Sequence, residues 1–160
     1  MQKVVPFLWY DGEAEQAAKF YVSLLPNSHV DKVVRSPADT PSGKEGTVLV
    51  VEFTLAGTQF RALNGGRQFQ FTLATSFQVN CTDQAEVDRL WAALTADGGE
   101  PGNCGWLKDR WGLSWQITPT RLFQLLSDPN PGRARRAMQA MMKQNKLDIA
   151  EIERAAGEAG

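Results

Sequence analysis

The chain has 160 residues, 42% hydrophobic and 22% charged, with a formal net charge of −1. That length suits one compact domain with a real core, and the near-neutral charge gives no general attraction to nucleic acid or an anionic membrane. No apolar run approaches a membrane span and no signal peptide is evident, so a soluble cytoplasmic protein is expected.

Residues 4–10 (VVPFLWY) are rich in β-branched and aromatic side chains and read as a strand. Asp11 and Gly12 then open a helix, with Glu13 and Glu15 where the N-terminal dipole favours carboxylates. Ala14, Ala17, Ala18, Tyr21 and Leu25 form its apolar stripe, stopped by Pro26 and Asn27. Residues 29–35 are a second strand. Residues 36–46 are a loop, because Pro37, Pro41 and Gly43 exclude regular structure. Residues 47–56 and 58–64 make a hairpin around Gly57, with Leu49, Val51, Phe53 and Leu55 on one face.

The pattern then repeats. Residues 75–81 are strand-like, and Asp83-x-x-Glu86 resembles a capping box. Val87, Leu90, Trp91 and Leu94 follow at i, i+3, i+4 and i+7 until Asp97-Gly98-Gly99 ends the helix. A shift of about 70 residues lays Phe7 on Phe77, Ala17 on Val87, Phe20 on Leu90, Tyr21 on Trp91 and Leu24 on Leu94. Residues 100–108 and 113–118 read as further strands around a turn at 109–112. The expected fold is α+β, with two tandem βαβββ modules forming curved mixed sheets around a cleft. The modules span about 1–70 and 71–118. Residues 119–160 form a C-terminal helical extension packed on the same domain or on a dimer partner.

In that extension Asn130 is the expected cap and Pro131 the first helical residue. Ala134, Ala137, Met138 and Met141 share one face, while Arg133, Arg135, Arg136 and Lys143 form a solvated remainder. The methionine stripe is expected to pack on the domain or on a second subunit. A short last helix over 148–156 presents Ile149, Ile152 and Ala156.

The richest chemistry lies in residues 104–116, where three tryptophans, a lysine, an acid and an amide meet. Alternation puts Cys104, Trp106 and Lys108 on one face, and Ser114 with Gln116 on one face of the returning strand. Trp106 and Trp115 offer flat apolar walls, and Lys108 and Gln116 offer groups to orient a carbonyl or carboxylate. The competing reading makes the tryptophans core and 109–112 an ordinary turn. Cys104 has no base beside it to make it a nucleophile, since Lys108 is four residues along a strand. Cys81 has no better claim. With no C-x-x-C spacing, neither a disulfide framework nor a thiolate zinc site is expected. No P-loop, G-x-S-x-G elbow or H-E-x-x-H helix occurs.

The stretches VPFLWYDGEAEQAAKFYVSLLPNS, ALNGG, ATSFQVNCTDQAEVDRLW and CGWLKDRWGLSWQITP, with the tail SDPNPGRARRAMQAMMKQNKLDI, resemble the PhnB-like family. That family also carries the label 3-demethylubiquinone-9 3-methyltransferase-like and is a branch of the vicinal-oxygen-chelate (glyoxalase/bleomycin resistance/dioxygenase) superfamily. The resemblance implies the paired βαβββ fold and a homodimer. It also implies cleft-lining positions at Trp9, Asn64 and Phe77, with Phe7 and Phe71 as further candidates. Where relatives tend to show Pro and then His-Phe after the Asn-Gly-Gly, this chain has Arg67-Gln68-Phe69. Metal-dependent members of the superfamily place His, Gln or Glu on the first and last strand of each half. The corresponding positions here offer only Asn64, Gln78 and Gln116, which are weak ligands. His29, the one histidine, falls outside that set.

The expectation is a metal-independent binding protein for an unknown small organic molecule, with no metal and no cofactor, and with no nucleic-acid or membrane partner. Its ligand would meet Trp9, Asn64, Phe77, Trp106, Lys108, Trp115 and Gln116. Catalytic residues are not assigned. The alternative is a divalent-metal-dependent lyase, isomerase or dioxygenase. A remoter one is a methyltransferase, for which the sequence lacks a glycine-rich strand–loop–helix and its following acid.

Overall fold

A computed structural model describes residues 2–157, and the chain divides into two compact units, Met1–Phe71 and Thr72–Gly160. The first unit runs β1 (Phe7–Tyr10), α1 (Ala14–Leu24), β2 (His29–Arg35), β3 (Val48–Leu55) and β4 (Thr58–Asn64). Its sheet has the order β1-β4-β3-β2, with β1 parallel to β4 and the other pairs antiparallel. The second runs β5 (Ser76–Cys81), α2 (Gln84–Thr95), β6 (Glu100–Pro101), β7 (Trp106–Lys108) and β8 (Ser114–Pro119). Its order is β5-β8-β7-β6, again with the first and last strands parallel. Each unit is therefore βαβββ, and the α+β fold of two modules is as the sequence suggests.

In the first unit the small side chains Ala14, Ala17 and Ala18 let α1 approach its sheet closely, and Tyr21 fills what remains. Alternation places Val51, Phe53 and Leu55 of β3 on one face, joined by Phe60 and Ala62 of β4 and Leu8 and Tyr10 of β1. The Tyr21 ring lies 6.2 Å from Phe53, which stacks on Phe60 at 5.4 Å. Leu25, expected within the helical stripe, has already turned to extended backbone as the C-cap.

In the second unit Asp83 starts α2. Its carboxylate accepts from the Glu86 N–H at 2.9 Å, while the Glu86 carboxylate accepts from the Thr82 N–H at 3.1 Å. The capping box is thus closed one residue earlier than the usual reciprocal bond. Val87, Leu90 and Leu94 are buried beneath the helix, together with Cys81, Leu107, Trp115 and Ile117 of the sheet. Burial pushes the Cys81 thiol up to about 12, with the Glu86 carboxylate of α2 as the next cause.

Two expectations are corrected here. The single strand over 100–108 is two short strands, because Cys104 (φ 58) and Gly105 (φ 84) turn the chain through the left-handed region between them. Cys104 therefore leaves the face of Trp106 and Lys108. The contracted meander also explains why the shift of about 70 residues holds for a strand and a helix but no further. β2 has seven residues where β6 has two.

The extension contains α3 (Thr120–Leu126), α4 (Pro131–Met142) and α5 (Ile149–Gly157). Asn130 caps α4 by accepting from the Gly132 and Arg133 N–H groups at 2.9 and 3.2 Å, with Pro131 next in line. Leu122, Leu125, Ala137, Leu147, Ile152 and Ala156 form its core, flanked by Leu126, Ala140 and Met141. Met138 is not part of that face; it is 41% exposed. Nor is Arg136 simply solvated, since it donates to the carbonyls of Ala155 and Ala156 at the end of α5. The α4–α5 connection is stitched to the rest of its unit. Gln144 and Asn145 carbonyls accept from the Cys104 and Gly105 N–H groups, both at 2.8 Å. Gln84 bridges the Leu147 carbonyl and the Ile149 N–H, and Lys146 pairs with Asp88. No described helix is long and apolar enough to cross a membrane.

Candidate functional site

Paired residues on neighbouring strands share a face of the sheet. In the second unit the register therefore builds rows. Glu100, Lys108, Ser114 and Ser76 form one row across all four strands. Trp106, Gln116 and Gln78 form the next, and Thr118 with Asn80 a third. The alternate residues, Leu107, Trp115, Ile117 and Cys81, are the buried set whose Cys81 feels the charges of α2. The rows accordingly occupy the face opposite that helix. This face is polar except for Trp106.

Its groups are partly ordered by one another. Gln116 donates through Nε2 to Ser76 Oγ at 2.9 Å, and Gln78 donates to Asn80 Oδ1 at 2.8 Å. Ser114 is fully buried, and among the described residues its Oγ has no hydrogen-bond partner. An unmade bond at a buried hydroxyl is unusual in a native protein and calls for an explanation.

The seven residues anticipated from the sequence fall into three groups. Trp106, Lys108 and Gln116 come together on the polar face, each half-buried. Phe77 and Trp115 lie on the other face, their rings 5.8 Å apart. Trp115 belongs to the interior: it is 3% exposed, and its indole N–H donates to Asp109 Oδ2 at 2.9 Å. The buried Asp109 carboxylate also accepts from the Trp111 and Leu113 N–H groups, so this turn is an organised corner as well as a connection. Trp9 and Asn64 belong to the first unit.

Trp9 and Asn64 also point to opposite faces of their own sheet, since Trp9 pairs with Leu63 and Tyr10 with Asn64. The Trp9 indole donates to the Gly66 carbonyl at 2.9 Å and meets the Phe69 ring edge-on at 5.0 Å. Gly65 is required beneath it, because any Cβ there would run into the indole. Asn64 is engaged at both ends of its amide. Its Oδ1 accepts from the Ala14 N–H at 2.9 Å, and its Nδ2 donates to the Val48 carbonyl at 3.0 Å. Glu13, at the N-cap position of α1, makes no side-chain cap bond, so Asn64 caps that helix from β4. Phe7 is 51% exposed, and Phe71 packs edge-on against Tyr10.

Among the described residues no group of three or more His, Cys, Asp or Glu is placed to hold a metal ion. His29 pairs with Asp31 at 2.9 Å on the edge strand β2. The amides at the positions where the superfamily carries ligands are neutral, and that of Asn64 is fully engaged. This donor set does not fit a divalent transition ion. S-adenosylmethionine fits no better. The β1–α1 connection, Asp11-Gly12-Glu13, has one glycine, and the next strand ends on Arg35.

Ser76 was not singled out by the sequence, and Ser114 only as a neighbour of Gln116. Parity along TSFQVN supplies the missing signal for Ser76, because it shares the parity of Gln78.

Comparison with known proteins gives a consistent picture. The family profile described as 3-demethylubiquinone-9 3-methyltransferase matches residues 2–118. Residues 127–149 of the tail lie outside that match. The PhnB protein of Bacillus cereus, described under the same methyltransferase heading, is 35% identical, with a TM-score of 0.67. The alignment covers 74% of this chain and 100% of that one. A protein from Pseudomonas aeruginosa shares the fold at 18% identity and a TM-score of 0.61, covering 74% of this chain and 98% of the other. No curated protein matches.

Proposed function

This chain belongs to the 3-demethylubiquinone-9 3-methyltransferase (PhnB-like) family, and we propose that it is a metal-independent binding protein for a small organic molecule. The observation that carries this reading is the polar face of the second sheet. Hydroxyls, amides and one lysine converge there around a single tryptophan, the combination that orients a small ligand while giving it an apolar wall. Trp106, Lys108 and Gln116 are the binding residues. Methyl transfer and metal-assisted chemistry are disfavoured by the donor sets described above. The protein is further read as a homodimer, for which sedimentation equilibrium is the check.

The test is thermal unfolding with Mn, Fe, Co, Ni, Zn or Mg, each with and without chelator, and with S-adenosylmethionine. A ligand that binds only the folded state raises the melting temperature by mass action. We expect no chelator-reversible rise and no response to S-adenosylmethionine. A selective rise with one metal would overturn the metal-independent reading.

A further inference from the structure

We propose that Lys108, Ser114 and Ser76 form an oxyanion subsite that takes the carboxylate of a small monoanionic acid whose flat apolar body lies on Trp106. This rests on reading the polar face as a binding face.

The three residues occupy consecutive strands in one row, with Ser114 flanked by Lys108 on β7 and Ser76 on β5. Among the described residues Ser114 Oγ is buried with no hydrogen-bond partner, so its hydroxyl is the group on this face that would gain most from an acceptor. An ionised oxygen is the acceptor that gains most from such a donor, because charge-assisted hydrogen bonds are the strong ones. Ser76 Oγ already accepts from the Gln116 amide, which leaves its own O–H to donate elsewhere. Two hydroxyl donors thus neighbour one another, and Lys108 is the single cation in the three rows. A carboxylate has two oxygens with which to meet them.

Glu100 decides the charge of the ligand. It is the cross-strand partner of Lys108 in the same row, so a second negative charge brought to that row would meet its carboxylate. A monoanion is favoured over a phosphate or phosphonate dianion. Trp106 stands in the adjoining row beside Gln116, where a planar body attached to the carboxylate has a wall to lie on.

The experiment titrates the full chain with benzoate, benzamide and phenylphosphonate at pH 8, by calorimetry and by amide shifts in NMR spectra. Benzoate is expected to bind about tenfold or more tightly than either of the others. Lys108→Met should weaken benzoate about tenfold and benzamide several-fold less. Glu100→Gln should selectively improve phenylphosphonate. Ser114→Ala should weaken benzoate while the ligand-free melting temperature stays level or rises, since the substitution removes a buried hydroxyl with no partner. A Ser114→Ala protein that melts lower and binds benzoate normally would show the hydroxyl to be structural and overturn the proposal. Equal binding of benzamide, with shifts at Trp106 and Gln116, would remove the anion subsite and leave the binding face standing. Equal binding of phenylphosphonate would overturn the selection by charge. No binding by any probe and no shifts on that face would overturn both.

Discussion

The two units share one topology but use the ends of their last strands differently. In the first, Asn64 closes β4 by capping α1 and bonding Val48, and Trp9 is clamped by Gly66 and Phe69. In the second, α2 carries its own cap in Asp83, and the polar side chains of β8 lie on the face away from that helix. Ser114 and Gln116 share that face with Lys108 and Trp106. The two helices are thus capped by different routes, one from a distant strand and one from its own start. The topology alone does not reveal which unit carries the candidate site; the hydrogen bonds do.

The sharpest way to break this comparison is at Asp109, which organises the corner of the second unit through three bonds to Trp111, Leu113 and Trp115. Asp109→Ala should destabilise by about 3 kcal/mol or more in urea unfolding, because two buried donors, Leu113 N–H and the Trp115 indole, and the part-buried Trp111 N–H lose their acceptor together. Asn64→Ala should cost about 1–2 kcal/mol by the same measurement, since it uncaps α1 and removes the amide donor to the Val48 carbonyl. If that substitution proved neutral and instead abolished ligand binding, the contrast between the units would fail. Asp83→Ala should cost about 1 kcal/mol, and its effect should add to that of Asn64→Ala because the two caps serve separate helices.

The smallest effect concerns Cys81. Its folded-state value of about 12 lies above the ordinary 9.0, so the neutral thiol favours the fold. That contribution is complete below pH 9.0 and declines as the pH rises towards about 12. Cys81→Ala should therefore flatten the fall in melting temperature over that alkaline window. In the native protein at pH 8, Cys81 should also resist thiol reagents that react with it after unfolding.

The parts of this molecule that were legible in the sequence are those fixed by neighbours along the chain. Asp83 with Glu86 and Asn130 with Pro131 announce helix starts within a few residues, and Phe53 with Val51 announces a buried strand face. The cap on α1 was illegible because it arrives from β4, joined to Ala14 only by the fold. Trp115 is a different case. It is adjacent to Gln116 on one strand, so alternation already forbids both from lining one wall; the aromatic character of the segment obscured a parity that was present. The break at Cys104 was hidden because a non-glycine residue with positive φ has no reliable signature.

The turn at Cys104 and Gly105 is held by the carbonyls of Gln144 and Asn145, which lie beyond the stretch matched by the family profile. The border of the matched stretch and the border of cohesion therefore differ here. A version cut back to the matched residues would keep the second sheet but for the last residue of β8, yet strip the support from the loop that delivers Trp106 and Lys108. Anyone grafting this module elsewhere, or trimming it to a minimal scaffold, should carry the helical appendix with it as a brace.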